Sequence, residues 1–184
     1  MATTDYLAEP ADLAVWLGVP ADDPKLRQAL AAASSRFRGA VRHPVTAVTG
    51  DVVTVDGTGR ESVPLPAAPV TAVSEVRLDG ALLAEAADFS WSSDGYLRRL
   101  GGQVWPDRLR CIQVTYSHGY EVVPEDIAEV VIDQARALYT VLPGVQTRQV
   151  GGQSVTFGVQ AAIGVTAQWT AAVERYRLNA GDRP

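Results

Sequence analysis

The spacing of apolar residues changes twice along this chain, and the changes mark out three regions. Near the start, Leu13, Trp16 and Leu17 share one helical stripe. They predict a short helix over 10–17, begun by Pro10, stopped by Gly18 and Pro20, with Trp16 on its core side. A longer helix is expected over 24–41. Asp23 is placed to cap it, Pro24 suits its first turn, and Leu26, Leu30, Ala33, Phe37 and Val41 recur three or four residues apart. Arg27, Arg36 and Arg38 fall off that stripe, and Gly39 and Pro44 close the element.

From Val45 to Tyr116 the period drops to two. Val52–Val55 reads as a strand, with Asp56-Gly57 as a turn that lets Ser62–Leu65 return beside it. Pro64, Pro66 and Pro69 keep the next stretch out of a sheet centre. Val70–Leu78 turns at Asp79-Gly80, and Phe89–Trp91 faces Tyr96–Leu100 across Ser92-Ser93-Asp94-Gly95. Ile112, Val114 and Tyr116 then alternate with Gln113 and Thr115. Helical spacing returns over 124–142 through Ile127, Val131, Ala135, Leu138 and Leu142. Val130, Ala137 and Val141 widen that face until it calls for contacts on two sides. A last helix over 165–178 carries Val165, Trp169, Val173 and Tyr176. The expected class is α+β: terminal helices forming a helical body, with a β-rich insertion of hairpins at about 45–118.

Length and composition fit this picture. The chain has 184 residues, of which 47% are hydrophobic and 20% charged. That is enough for a sizeable core. No apolar run nears the roughly 20 residues that span a bilayer, and MATTDYLAEP lacks the marks of a secretion signal. The single cysteine, Cys111, lies in a strand-like run and reads as a buried thiol suited to a reducing compartment. A net charge of −5 argues against a protein living on affinity for DNA, whose binding energy comes largely from neutralised phosphates.

Candidate chemistry is sparse. His43 and His118 are the two histidines, and no HExxH, Cys/His cluster, GxSxG elbow or P-loop occurs. The densest stretch is Val114–Ile127, VTYSHGYEVVPEDI. Its parts read as a corner: a strand ending at Tyr116, a turn at Gly119, and a helix begun by Pro124 with Glu125 and Asp126 at its positive end. Adjacent carboxylates on a helix do not face each other, so Glu125-Asp126 is no acid–base pair. His118 would need a nucleophile or an orienting carboxylate beside it, and the simpler reading is a hydrogen-bonded corner histidine. Arg98-Arg99 reads as a solvated hairpin end or a contact to a partner protein. Trp91 and Trp105 read as core or rim aromatics, Trp16 and Trp169 as core. No catalytic, cofactor or metal residue is assigned.

The order of parts resembles the head–tail connector, or adaptor, proteins of long-tailed bacteriophages, especially those of actinobacterial hosts. The resemblance is carried by PADLAVWLGV, DPKLRQALAAASSRFRGAV, LPAAPVTAVSEVRLDG, SSDGYLRRLGGQVWP, IQVTYSHGYEVVPEDIAEVVIDQARALY, VGGQSVTFG and the closing RYRL. It implies a single connector domain over 1–184 and a structural virion protein without cofactor. Such a protein forms a ring, dodecameric in the usual case, under the portal and above a stopper or tail-completion protein. DNA passes through its lumen without tight binding, and the free subunit can be a monomer. The alternatives are another head-completion or tail-joining protein, a general binding module, or a small cytosolic enzyme centred on His118.

Partner-interface candidates are Val130 and Val141 on the broad helix face, Arg98 and Arg99, and Ser154, Val155 and Phe157 in the glycine-rich segment 147–164. That segment is long for a connection within a compact domain and holds one strand candidate, Ser154–Phe157. It is expected to be mobile in the free subunit and to add to a neighbouring chain on assembly.

Overall fold

The computed structural model describes residues 6–140, 147–150, 153–156 and 166–178, the two short middle segments as backbone. The chain divides into two compact units. One holds the segments up to Arg42 and from Val123 onward; the other is His43–Val122, inserted between them.

Among the described residues, the first unit contains four helices: α1 (Pro10–Leu17), α2 (Pro24–Val41), α3 (Glu125–Thr140) and α4 (Ala167–Tyr176). α2 starts where its cap dictates, because the Asp23 side chain accepts from the Leu26 N–H at 2.8 Å. It ends at Arg42, φ 66°, so Gly39 lies inside the helix and an arginine makes the left-handed turn. Leu26, Leu30, Ala33, Phe37 and Val41 are all buried. Phe37 meets Trp169 of α4 edge-on, ring centroids 5.3 Å apart. Ser34 is buried as well, and its hydroxyl accepts from the Leu7 N–H at 3.1 Å, tying the segment before α1 to α2. α3 buries Ile127, Val130, Val131, Gln134 and Ala135.

Trp16 departs from expectation. It is 65% exposed, and Leu13 is the buried residue of α1. Eight residues make barely two turns, so one apolar side chain covers the inward face. The Trp16 ring instead lies under the Arg136 guanidinium, 4.7 Å from its centroid.

A two-stranded antiparallel hairpin, β8 (Thr147–Val150) with β9 (Gln153–Thr156), occupies the glycine-rich segment, where the alternation of residues indicated one strand. Ser154 and Val155 lie on β9; Val141 and Phe157 lie outside the described residues.

The second unit is all β. Its larger sheet has the order β1-β7-β3-β4, from β1 (Val48–Gly57), β7 (Arg108–His118), β3 (Val70–Leu78) and β4 (Ala81–Leu82). A second sheet, β2-β6-β5, joins β2 (Ser62–Pro64), β6 (Tyr96–Arg99) and β5 (Phe89–Ser92). The local hairpins β3/β4 and β5/β6 form at their turn signals. β1 and β2, however, do not pair with each other. β1 pairs with β7, Val53 opposite Val114 and Val55 opposite Ile112, while β2 pairs with β6. Gly57 therefore has another task than a tight hairpin: a Cβ there would lie 1.9 Å from the Pro106 carbonyl oxygen. Ile112, Val114, Tyr116 and Val76 of the larger sheet form one core with Val63, Leu97, Phe89 and Trp105.

Candidate functional site

The corner after β7 closes by backbone contact. Gly119 has φ 88°, and a Cβ on it would lie 2.2 Å from the Thr46 carbonyl oxygen. Its N–H donates to Pro69 O at 2.8 Å, and the Tyr120 N–H donates to Val45 O at 2.8 Å. Val45 is buried at φ 71°, a conformation that a β-branched residue rarely adopts. Strain is thus held at the corner by its own hydrogen bonds.

His118 occupies this corner with 2% of its surface exposed. Nε2 lies 3.2 Å from Asp51 Oδ2, and the ring sits 4.7 Å from that of Tyr116. The Tyr116 hydroxyl is pushed up to about 12 by burial and then by the Asp51 charge, with the Ala67 backbone partly offsetting both. The carboxylate that sequence reasoning could not place beside His118 is therefore Asp51. The sheet register supplies it, since Asp51 stands opposite Tyr116. Cys111 does not join the pair: it is buried, and its thiol donates to the Arg108 carbonyl at 3.2 Å. A histidine this enclosed, held by a carboxylate and an aromatic ring, is equipped to fasten the corner. Among the described residues, no three His, Cys, Asp or Glu side chains gather as a metal site. No helix there is long and apolar enough to cross a membrane.

Asp126 has a structural task. Its Oδ1 accepts from the Ile127 N–H at 3.0 Å and from the Tyr176 hydroxyl at 2.8 Å, while Oδ2 faces Arg175 Nη1 at 3.0 Å. It anchors the start of α3 to the end of α4.

The two arginines of β6 part company. Arg98 is exposed and pairs with Glu61 at 2.8 Å. Arg99 points to the buried side and is 8% exposed, over the ring of Trp105. Trp105 is fully buried and donates to Leu97 O, whereas Trp91 is half-buried and donates to Glu85. Val130 is 4% exposed. The broad face of α3 is therefore largely occupied by the chain itself.

The head completion protein family matches residues 14–178. The chain belongs to that family. No curated protein matches this head completion family member. Among solved structures, its fold is similar to a chain in the neck of a native GTA particle computed with C12 symmetry, at a TM-score of 0.56 and 20% identity, covering 100% of this chain and 97% of that one. A chain in the neck of an empty GTA particle computed with C6 symmetry gives 0.55 at 21% identity, covering 95% and 92%. A chain in the virion of a native gene transfer agent particle gives 0.53 at 20%, covering 95% and 92%. The head completion family thus brings a structural role, and the corner around His118 fits it as scaffolding.

Proposed function

We propose that this protein is a head–tail connector of a phage-like particle, present in the neck as a closed ring of identical subunits, and that it has no enzymatic activity. The observation that carries the reading is the family match from residue 14 to residue 178, which spans both compact units. The C12 and C6 symmetries of the neck structures with similar chains support a ring, with twelve copies as the expected number. The ring would lie beneath the portal and above a stopper or tail-completion protein. Each copy would meet its neighbours through unlike surfaces, the arrangement that closes a ring.

Charge supports the role of conduit. A chain of net charge −5 offers DNA little to hold as it passes. Enclosure of the His118 ring supports a non-catalytic role, because a substrate would have to dismantle the corner to reach it, although Asp51 beside it is 40% exposed. For contacts between subunits, the β8–β9 hairpin with Ser154 and Val155 is the natural reach: two strands alone are marginally stable and gain by joining another sheet. Arg98 and Arg99 lie at one end of the β unit and supply a second contact.

Deleting the gene from the particle-producing genome tests this reading. Packaged heads without tails should accumulate, and electron microscopy of complemented particles should show the chain in the neck. Normal yields of tailed, infectious particles from the deletion would sink the proposal.

A further inference from the structure

Strand β6 lies between β2 and β5, and alternation along it sends Leu97 and Arg99 to the same side. That side is the core. Leu97 is fully buried, the register partner of Arg99 is Phe89 at 2% exposure, and the guanidinium sits 5.4 Å from the centroid of the buried Trp105 ring. Arg99 Nη2 donates to Gln103 Oε1. Nε and Nη1 are buried with no hydrogen-bond partner among the described residues. Among the described residues no carboxylate pairs with Arg99; Glu61, whose backbone oxygen takes the Arg99 N–H, directs its carboxylate to Arg98.

A guanidinium held out of water with donors unpaired is costly in an isolated subunit, and such a group calls for an anion from elsewhere. The surroundings allow one to enter. Gly101 and Gly102 have φ 67° and 71°, and a Cβ on either would meet nothing within 4 Å. The following Gln103, on the exposed loop, is the one group among the described residues bonded to the guanidinium. Arg60 and Arg110 are exposed at the same end, as is Arg108, whose guanidinium pairs with Asp79; there the Trp105 backbone N–H donates to Arg60 O and Gly57 stands opposite Arg108. Val104 and Leu109, 51% and 76% exposed, add apolar surface.

We propose that this end of the β unit is a docking site for an acidic segment of another protein of the particle. One Asp or Glu side chain of that segment displaces Gln103 and binds Arg99. Removing Gln103 frees Nη2, so the carboxylate meets Nη2 together with Nε or Nη1 as a two-pronged donor. The exposed arginines draw the acidic segment in, and Val104 and Leu109 give it apolar contact. DNA suits the site less well. Its phosphates ride on a stiff duplex and are poorly placed to reach an arginine that is 8% exposed. The identity of the partner rests on the neck reading; the chemistry of the site does not.

Three measurements test the proposal. In the free chain, Arg99→Met should melt at the same temperature as the parent or a few degrees higher, because an unpaired buried charge has gone. A lower midpoint overturns the proposal, since Arg99 then serves the fold. In particles, complementing a gene deletion with R99M should cut tail-joined yield at least tenfold. A parental yield overturns the site while leaving the neck reading intact, whereas a deletion that still makes tailed particles removes the neck reading and leaves the site to the remaining measurements. In solution, the Arg99 Nε–H resonance of the full chain, assigned by its absence in R99M, should shift with a synthetic Glu-Leu repeat peptide. It should not shift with the Gln-Leu counterpart or a short DNA duplex. A shift with the duplex alone, or with none of the three, overturns the proposal.

Discussion

The Tyr176 hydroxyl donates to the Asp126 carboxylate at 2.8 Å, joining the last turn of α4 to the first turn of α3. Arg175 reaches the same carboxylate at 3.0 Å. The arginine is well exposed and contributes little, whereas the tyrosine bond to a charged acceptor is half-buried. Tyr176→Phe should lower the unfolding free energy by about 1–2 kcal/mol, and Arg175→Ala by less than about 0.5 kcal/mol. Urea denaturation followed by tryptophan fluorescence measures both, and equal losses would contradict this division.

Two glycines with nearly the same φ should respond differently to alanine. Gly119, φ 88°, would bring its new Cβ to 2.2 Å from Thr46 O, while Gly80, φ 86°, would meet nothing within 4 Å. Gly80→Ala carries backbone strain alone, about 1 kcal/mol. Gly119→Ala must also push apart the corner that holds His118, and the expected cost is more than about 3 kcal/mol. Comparing the two denaturation midpoints isolates the steric part.

Phe37 is fully buried against Trp169, whereas Trp16 is 65% exposed. Phe37→Ala should cost about 3–5 kcal/mol. Trp16→Ala should cost less than about 1 kcal/mol, the scale of its stacking with Arg136. A large loss at Trp16 in calorimetry would mean that α1 packs otherwise than described.

Tyr116 links stability to high pH. Its folded-state value is pushed up to about 12, above the ordinary value near 10. Above pH 10 the unfolded chain loses this proton while the folded chain keeps it, so unfolding becomes easier as pH rises. The stabilisation is complete below pH 10 and is lost through pH 12, up to about 3 kcal/mol. Tyr116→Phe should flatten the fall between those limits. An unchanged slope in urea titrations at several pH values would contradict the assignment.

Much of this fold was legible in local pattern. The cap at Asp23, the stripe from Leu26 to Val41, the turns at Asp79-Gly80 and Ser92–Gly95, and the corner at Gly119 all follow from neighbouring residues. The sites were less legible. Alternation along Tyr96–Arg99 already sets Arg99 beside Leu97 and apart from Arg98, a signal hidden when the two arginines are read as a pair. Asp51 offered no such signal, because its place beside His118 depends on β1 pairing with a strand near the other end of the unit.

By itself, the sequence determined most of the stretches that become helix or strand, the start of α2 at its cap, and the α+β class. These follow from backbone preference, capping and side-chain period, which act over a few residues. Only the tertiary structure decided that β1 joins β7 rather than β2, that Trp16 faces solvent, and that Arg99 is enclosed with no counter-charge among the described residues. Strand partners and burial are set by which distant surfaces exclude water together, and a local pattern carries no record of that competition.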